Sequence, residues 1–234
     1  MSIATQHRWR TSWLSGLLAI AVIEAGCQPR RAALDACAGE VPPLLEYRKQ
    51  DGELLLLLRA GVPIAAGQPN APNGVETAKG QPLCDGQRHL LGMLGAPSSG
   101  GGLVLRGPAG EALVALAAAS GGDDATLTSG GAGWRLHDEG GLLRVLDPQG
   151  VPVGQLGRVA GKGIVFSPGG RPMSYAERAQ PAPSEDERRV IKTPDGTVTH
   201  FVLGLHDDRA AAAFALDTLA PPLRLVLARH LDRP

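Results

Sequence analysis

Short apolar stretches separated by glycine-containing turn clusters recur along the chain after residue 44. In such clusters Pro presets the first turn residue, Asp tolerates left-handed backbone, and Gly adopts positive φ at low steric cost. Two apolar stretches joined by a cluster of this kind predict a β-hairpin. The six clusters lie around Gly52, Gly110, Gly140, Gly150, Gly169–Gly170 and Gly196.

The spacing of apolar side chains within these hairpins favours strands. Apolar and polar residues largely alternate in Trp134–His137 and Leu142–Asp147, as expected for a sheet with one buried face. Val190–Lys192 and Thr197–Val202 face each other across the last predicted turn. The consecutive leucines Leu54–Leu58 fit either a strand buried on both faces or about one and a half helical turns. Their position in a hairpin favours the strand.

The C-terminal segment, DDRAAAAFALDTLAPPLRLVLARHLDRP, predicts two helices. Asp207 or Asp208 can cap a helix over the alanines, and the prolines at 221 and 222 would end it. Pro222 can also open a second helix, because a proline in the first turn loses no hydrogen bond. This second helix, Leu223–Leu231, is apolar around most of its circumference, which is typical of a helix surrounded by protein. An amphipathic helix on the outside of a sheet is the alternative.

The first 26 residues have the three parts of a secretory signal peptide. Arg8 and Arg10 supply positive charge, Trp13–Ile23 is a largely apolar run, and small residues precede Cys27. A helix of that length spans only ~16 Å, too short for the ~30 Å hydrocarbon core of a bilayer. We therefore expect no permanent transmembrane helix in this leader.

The Ala-Gly-Cys sequence that ends at Cys27 resembles the lipobox of bacterial lipoproteins. The resemblance implies that the Cys27 thiol carries a diacylglycerol, that the chain is cut just before it, and that acyl chains anchor the protein firmly. Glu24 stands where that family has Leu or another apolar residue, and an ordinary secretory signal cut near Gly26 is the alternative. Gln28 follows the cysteine instead of Asp, which by the same resemblance favours the outer membrane, facing the periplasm.

Cys37 and Cys84 remain if Cys27 carries lipid. An exported chain meets an oxidising compartment, in which thiol pairs tend to close. We expect a Cys37–Cys84 disulfide that encloses about 47 residues, contributes roughly 4 kcal/mol through loop entropy, and ties the N-terminal segment to the loop at 63–83. Two buried free thiols are the alternative. The cysteine spacing fits no zinc motif.

Three predicted loops and no clear interdomain linker define the predicted domain organisation. Stretches rich in Pro, Gly and polar residues predict loops at 63–82, 96–102 and 180–187, and none of them is a convincing interdomain linker. The predicted organisation is a signal peptide at 1–26, a lipid anchor and tether at 27–43, and a single β-rich domain at 44–232.

Composition and charge narrow the classes of function. The 234 residues include 23 basic and 23 acidic ones, so the chain lacks the excess of positive charge that phosphate-driven nucleic-acid binding needs. Trp, Tyr and Phe number 3, 2 and 3, too few for base-stacking platforms. Removal of the leader takes away two arginines and one glutamate. Membrane contact would therefore depend on the lipid and not on a basic patch.

Candidate chemistry is sparse. His200, His206, Asp207 and Asp208 lie close in sequence and are a candidate metal site, although a polar strand end followed by a helix cap explains the same residues. His137–Glu139 is interpreted as a solvated turn. We expect no catalytic residue, no bound metal and no cofactor. The other polar candidates lack a nucleophile, phosphate-loop or paired-carboxylate signature and are Ser99, Ser174, the glycines at 100–102 and the acidic residues 185–187.

Two hairpins and the C-terminal segment resemble the tubby-like superfamily, which includes the LURP-one-related and phospholipid-scramblase proteins. LLRVLDPQGVPVGQLGR and GIVFSPGGRPM look like its hairpins, and FALDTLAPPLRLVLARHL looks like its final strand and core helix. The resemblance implies a closed antiparallel barrel of about twelve strands around a C-terminal apolar helix, with Ala210–Leu216 as the last strand. A β-sandwich or an open hairpin array with a packed C-terminal helix is the alternative.

Together these observations predict a lipid-anchored, non-enzymatic cell-envelope protein that binds a protein, a lipid or a small apolar ligand through its barrel. Its partners would be the membrane and that ligand, and not nucleic acid. An envelope hydrolase without a local motif and a structural hairpin-repeat module are the competing functions. A hydrolase predicts a pocket with converging polar groups, a binding module predicts an apolar patch or groove, and a repeat module predicts an open array without a buried helix.

Overall fold

Fourteen antiparallel strands close into a barrel in this computed structural model, which describes residues 36–38, 43–61, 80–96, 102–118, 124–179 and 188–232. The predicted signal peptide, Cys27 and most of the three predicted loops lie outside the described residues. The strands are β1 (Pro43–Lys49), β2 (Leu54–Arg59), β3 (Gln81–Asp85), β4 (Leu90–Gly95), β5 (Gly102–Arg106), β6 (Ala112–Ala118), β7 (Asp124–Ser129), β8 (Ala132–Glu139), β9 (Leu142–Leu146), β10 (Pro152–Val159), β11 (Lys162–Phe166), β12 (Pro172–Arg178), β13 (Arg189–Lys192) and β14 (Val198–Leu203). The helical segments after them are α1 (Asp208–Ala212), a 3-10 turn (Ala213–Ala215) and α2 (Pro221–Leu231).

Each strand pairs with its neighbours in sequence, and the pairing of β1 with β14 closes the barrel, with Tyr47 opposite Val202. The predicted closed barrel is therefore confirmed, and the sandwich and the open hairpin array are wrong. The strand number is fourteen and not about twelve. Barrel diameter grows with strand number, and the wider barrel holds two antiparallel helical segments where the resemblance implied one.

All six predicted hairpin turns are present. Most share one pattern over five residues, in which the first N–H donates to the fifth carbonyl and the fourth N–H donates to the first carbonyl. The fourth residue has positive φ and is Gly in every case except Arg88, whose φ is 63°. This turn occurs at residues 49–53, 85–89, 107–111, 147–151, 167–171 and 193–197.

The other tight turns contain two residues that both have positive φ, as in a type I′ hairpin. One is the predicted turn at Gly140–Gly141. The turns at Gly130–Gly131 and Ala160–Gly161 are of the same kind, and with the turn at 85–89 they are hairpins that the sequence clusters did not indicate.

The barrel has two different ends. The seven connections that follow odd-numbered strands are all tight turns, and we call this the turn end. The three predicted long loops connect β2 to β3, β4 to β5 and β12 to β13 at the opposite end, which we call the loop end. Strands begin slightly inside two of the predicted loops, because Gln81 and Pro82 belong to β3 and Gly102 belongs to β5.

The lumen is filled by alternate strand residues and the C-terminal helical segments. The wall strands contribute the fully buried side chains of Leu58, Leu127 and Leu156. Helix α2 contributes those of Leu225 and Leu227. Apolar burial of this extent is the dominant favourable contribution to folding. The predicted buried helix is thus confirmed, and the alternative of a helix lying outside the sheet is wrong.

The alanine segment is helical, and the strand that the resemblance implied for Ala210–Leu216 is wrong. Asp207 is the N-cap of α1, and its carboxylate accepts hydrogen bonds from the backbone N–H groups of Arg209 and Ala210. Alanine has the highest helix propensity of the residues, and the cap satisfies the first free donors. The expectation drawn from the residues themselves is therefore the one confirmed.

A disulfide joins Cys37 to Cys84, whose Cα atoms are 6.0 Å apart. Both cysteines are fully buried and form a small apolar cluster with Leu57, separate from the main core. Cys84 lies on β3 and not in the preceding loop. The bridge therefore attaches the helical residues 36–38 to the wall of the barrel instead of to a connecting loop.

Candidate functional site

An apolar cleft opens at the turn end of the barrel, between the start of α2 and strands β4–β7. Its volume is about 390 Å³, within the range typical of small-molecule sites. Of the described residues that line it, only Ser129 has a polar side chain. The residues that define this turn-end cleft are Leu91, Leu113, Ser129, Ala220, Pro222 and Leu223.

The local fold explains why the cleft exists. Helix α2 begins with two prolines and has no side-chain cap, so its first turn presents apolar carbon atoms towards the wall. Leu91 and Leu113 lie near the turn end of their strands and are only partly buried, although both contact the main core. The cleft is thus the place where the helical filling and the wall do not meet completely.

Buried side chains of the C-terminal helical segments occupy the centre of the barrel in the described part of the chain. Phe214, Leu216 and Leu219 are buried in the segment that leads from α1 to α2. Tyr47 stacks on the ring of Phe214 with a centroid separation of 4.5 Å. A ligand held in the centre of the barrel would have to displace these side chains, so the cleft is the apolar space available beside the filling.

The charged residues at the loop end fasten the helical segments to the wall. Arg189 is nearly fully buried and its Nε donates to Asp208 Oδ1 at 2.7 Å. Arg158 pairs with Asp207, and Arg209 on α1 pairs with Asp138 on β8 at 2.5 Å. These pairs join α1 to strands β8, β10 and β13.

The pKa values of the neighbouring carboxyls of Asp207 and Asp208 are shifted in opposite directions. Burial alone raises the pKa of the Asp207 carboxyl, but Arg158 and the capped backbone N–H groups more than offset this and lower it below its usual range. Burial dominates at Asp208 and raises its pKa, although the Arg189 guanidinium opposes the change. The difference follows from the donors, because Asp207 accepts two backbone hydrogen bonds as the helix cap.

The candidate metal residues do not converge. His200 stacks on Tyr47 at 4.9 Å, whereas Asp207 caps α1 and Asp208 pairs with Arg189. In the described part of the chain, no group of three or more His, Cys, Asp or Glu side chains is arranged to hold a metal ion. The polar strand end and helix cap is the arrangement observed.

The segment His137–Glu139 was predicted to be a solvated turn, and this is wrong. It forms the end of strand β8. A hydrogen bond from the His137 ring to Asp124 on β7 raises the pKa of that imidazole. Asp138 is the partner of Arg209, a role that the sequence pattern did not indicate.

The remaining polar candidates do not form a site among the described residues. Ser174 Oγ donates a hydrogen bond to the carbonyl oxygen of Met173. Ser99, the glycines at 100–101 and the acidic residues 185–187 lie outside the described residues.

The chain has no detected relatives in three comparisons with known proteins. No family model matches it, no curated protein matches it, and no solved structure matches it. None of the helices within the described ranges is long and apolar enough to cross a membrane.

Proposed function

We propose that this chain is a lipid-anchored cell-envelope protein that binds the aliphatic part of a lipid or a small apolar ligand in the turn-end cleft, without catalysing a reaction on it. The leader and the cysteine at 27 support the anchor. The cleft supports the binding role and is the observation that carries the proposal. The proposal includes a relationship to the tubby-like superfamily. The closed antiparallel barrel around buried C-terminal helical segments supports this relationship.

The chemistry of the lining selects the class of ligand. Leucine and proline side chains offer no hydrogen-bond donors or acceptors, so a polar group inside the cleft would lose its water without compensation. An aliphatic chain gains from the same burial by about 25 cal/mol for each Å² removed from water. Ser129 at the margin is the one lining side chain among the described residues that can hydrogen-bond to a ligand's polar end.

The cleft is tested by titrating the purified protein with Nile red, an uncharged apolar fluorophore. Leu113→Gln replaces a lining side chain and should weaken binding about tenfold, the equivalent of losing part of one leucine's burial. Leu103→Gln on β5 is the matched control, because Leu103 is also a partly buried leucine against the core but does not line the cleft. Equal affinity in the two variants, or no binding by the parent protein, would contradict the binding role. Thermal melting of both variants checks that they fold.

The anchor is tested by mass spectrometry of the protein purified from its native membrane. The expected N-terminal peptide begins at Cys27 and carries acyl chains, and Cys27→Ser should abolish that mass and release the protein from the membrane. A retained leader, or a free thiol at residue 27, would exclude lipidation. Nile red reports on the cleft whether or not Cys27 carries acyl chains, so either half of the proposal can fail without the other.

A further inference from the structure

A second site lies on the outer face of strands β11–β13. Three strands, β8–β10, separate it from the turn-end cleft on one side, and four separate it on the other. The Glu177 carboxylate stands at its centre and binds two ammonium groups at once. Lys192 Nζ lies 2.5 Å from Oε1, and Lys162 Nζ lies 2.5 Å from Oε2.

An aromatic ring lies beneath the two lysines. Lys162 Nζ is 4.9 Å from the centroid of the Tyr175 ring, and Lys192 Nζ is 6.0 Å from it. Both distances are within the range of cation–π attraction. The ring keeps the two ammonium groups close together. Fewer side-chain conformations are then lost when a ligand binds, which lowers the entropic cost of binding.

Space and apolar surface adjoin the lysine pair. A groove of about 640 Å³ runs past Lys162, Glu177, Arg178 and Lys192. A smaller apolar crevice of about 140 Å³ shares Lys162 with it and is lined by Tyr175 and by Ile164, Pro172 and Pro194. A charged position and an apolar position therefore lie side by side on one face.

The charges in this groove favour an anion. The groove is lined by three cationic side chains, those of Lys162, Arg178 and Lys192, against the carboxylates of Glu177 and Asp208, and Asp208 is already paired with the buried Arg189. The Lys162–Glu177 pair is half exposed on its lysine side, whereas the Lys192–Glu177 pair is partly buried, so an incoming carboxylate has to take the place of the Glu177 carboxylate as the partner of both ammonium groups. Lys162, half exposed, and Lys192, a quarter exposed, are accessible for the exchange.

We propose that this groove is a binding site for a carboxylate attached to a small apolar group, with the carboxylate between Lys162 and Lys192 and the apolar group in the crevice beside Tyr175. Glu177 occupies the anion position when no ligand is bound and competes with the ligand. A free organic acid and the C-terminus of a peptide both supply this chemistry. The site goes beyond the cleft and does not depend on lipidation.

The experiment is calorimetric titration of the purified protein with two probes, phenylpropionate and the dipeptide N-acetyl-alanyl-valine, each compared with its carboxamide. The carboxylates should bind with Kd values of about 1 mM and the amides at least tenfold more weakly. Tighter binding of one probe identifies the free acid or the peptide terminus as the source. Failure of both carboxylates to bind, or equal binding of the amides, would overturn the proposal.

Variants separate a binding role from a structural one. Lys162→Gln and Lys192→Gln should each weaken binding about tenfold, because each removes one charged donor. Glu177→Gln should strengthen binding several-fold, because it removes the internal competitor, even though it breaks both ion pairs. A purely structural cluster predicts no gain in affinity from Glu177→Gln, and that result would count against the site.

Lys49→Gln is the matched control for charge. Lys49 is an exposed lysine that pairs with Glu53 at 2.5 Å, and it does not line the groove. Its replacement should leave affinity unchanged. Equal weakening by Lys49→Gln and Lys162→Gln would mean that the probes respond only to net charge, and it would refute the proposed site.

Discussion

Gly163 shows how a single residue admits the helical segments into the barrel. It lies on β11 facing α1, and a Cβ atom built there would lie 2.0 Å from the carbonyl oxygen of Asp208 and 2.6 Å from the backbone nitrogen of Arg209. Both atoms belong to the backbone at the start of the helix. Glycine is therefore required at position 163, because the backbone of α1 approaches β11 too closely for a side chain.

Gly163→Ala should destabilise the protein by at least about 2 kcal/mol, because either the strand or the helix start must move. Gly133→Ala is the control, since the nearest atoms to its Cβ are methyl groups at 3.8 Å, and it should change stability little. Chemical denaturation of both variants measures the difference. Equal unfolding midpoints would show that α1 does not approach β11 as closely as described.

His200 makes stability depend on pH. Burial is the main reason that its pKa lies below the ordinary value of 6.5, and the nearby charges of Arg224 and Lys49 lower it further. The unfolded chain then binds the proton more readily than the folded one. The contribution of His200 to stability is complete above the unfolded pKa and is lost as the pH falls through 6.5 towards the folded value.

His200→Phe keeps a ring against Tyr47 and removes the titration, so it should reduce the loss of stability between about pH 7.5 and about pH 5.5. His137 has the opposite sign, because the hydrogen bond to Asp124 raises its pKa. Its contribution is complete below 6.5 and is lost as the pH rises through the folded value, so His137→Gln should not reduce the acid loss. Melting temperatures across this range distinguish the variants. A His200→Phe variant that follows the parent curve would show that His200 does not cause the loss of stability in acid.

At the scale of elements, Asp232 holds the two ends of the helical segment together. Its side chain is almost fully buried, and Oδ1 accepts hydrogen bonds from the backbone N–H of His206 at 2.7 Å and of Asp207 at 3.0 Å. Arg229 Nη1 lies 3.3 Å from Oδ2. One carboxylate after α2 therefore satisfies the donors just before α1.

Asp232→Ala should cost about 3 kcal/mol, because it leaves two backbone donors and a cation without their partner. Asp232→Asn keeps one acceptor oxygen and should cost less. Asp217→Ala in the exposed turn between the helical segments is the control and should cost little. Urea unfolding curves rank the three variants. Equal costs for the two Asp232 variants would show that charge, and not hydrogen-bond acceptance, is the main contribution.

Local chemistry explains which elements could be predicted from the sequence. The turns at Gly52, Gly110 and Gly196 combine glycine with flanking apolar runs, and the conformation that glycine allows is the one adopted. The turn at 85–89 was missed because Arg88 takes the left-handed conformation, which few non-glycine residues adopt. The structure supports that turn with Asp85, whose Oδ1 accepts hydrogen bonds from two backbone N–H groups.

At the scale of the whole molecule, closure and the sites depend on contacts between distant residues. The β1–β14 pair joins residues about 155 positions apart, as Tyr47 and Val202 show, and no local pattern specifies such a partner. The turn-end cleft similarly requires Leu91, Leu113 and Pro222 to meet. The period of the strands indicated a buried face, but the space left beside α2 follows only from the assembled barrel.

The Cys37–Cys84 disulfide is a covalent cross-link between strand β3 in the wall of the barrel and the segment before β1. It encloses a separation of 47 residues, for which the loop-entropy description gives a contribution of about 4 kcal/mol. Because Cys84 lies on β3 beside Leu57, reduction also leaves two buried thiols in an apolar cluster without forcing the strands apart.

Reduction, or the double variant Cys37→Ser with Cys84→Ser, should therefore lower the free energy of unfolding by about 4 kcal/mol while the β-sheet circular dichroism signal persists. Reductant applied to the double variant is the control and should have no further effect. Non-reducing peptide mapping of the protein should recover residues 37 and 84 in one linked peptide. Free thiols at both positions in that map would mean that only packing holds the segment before β1 against β3, and the stabilisation attributed to the bridge would be absent.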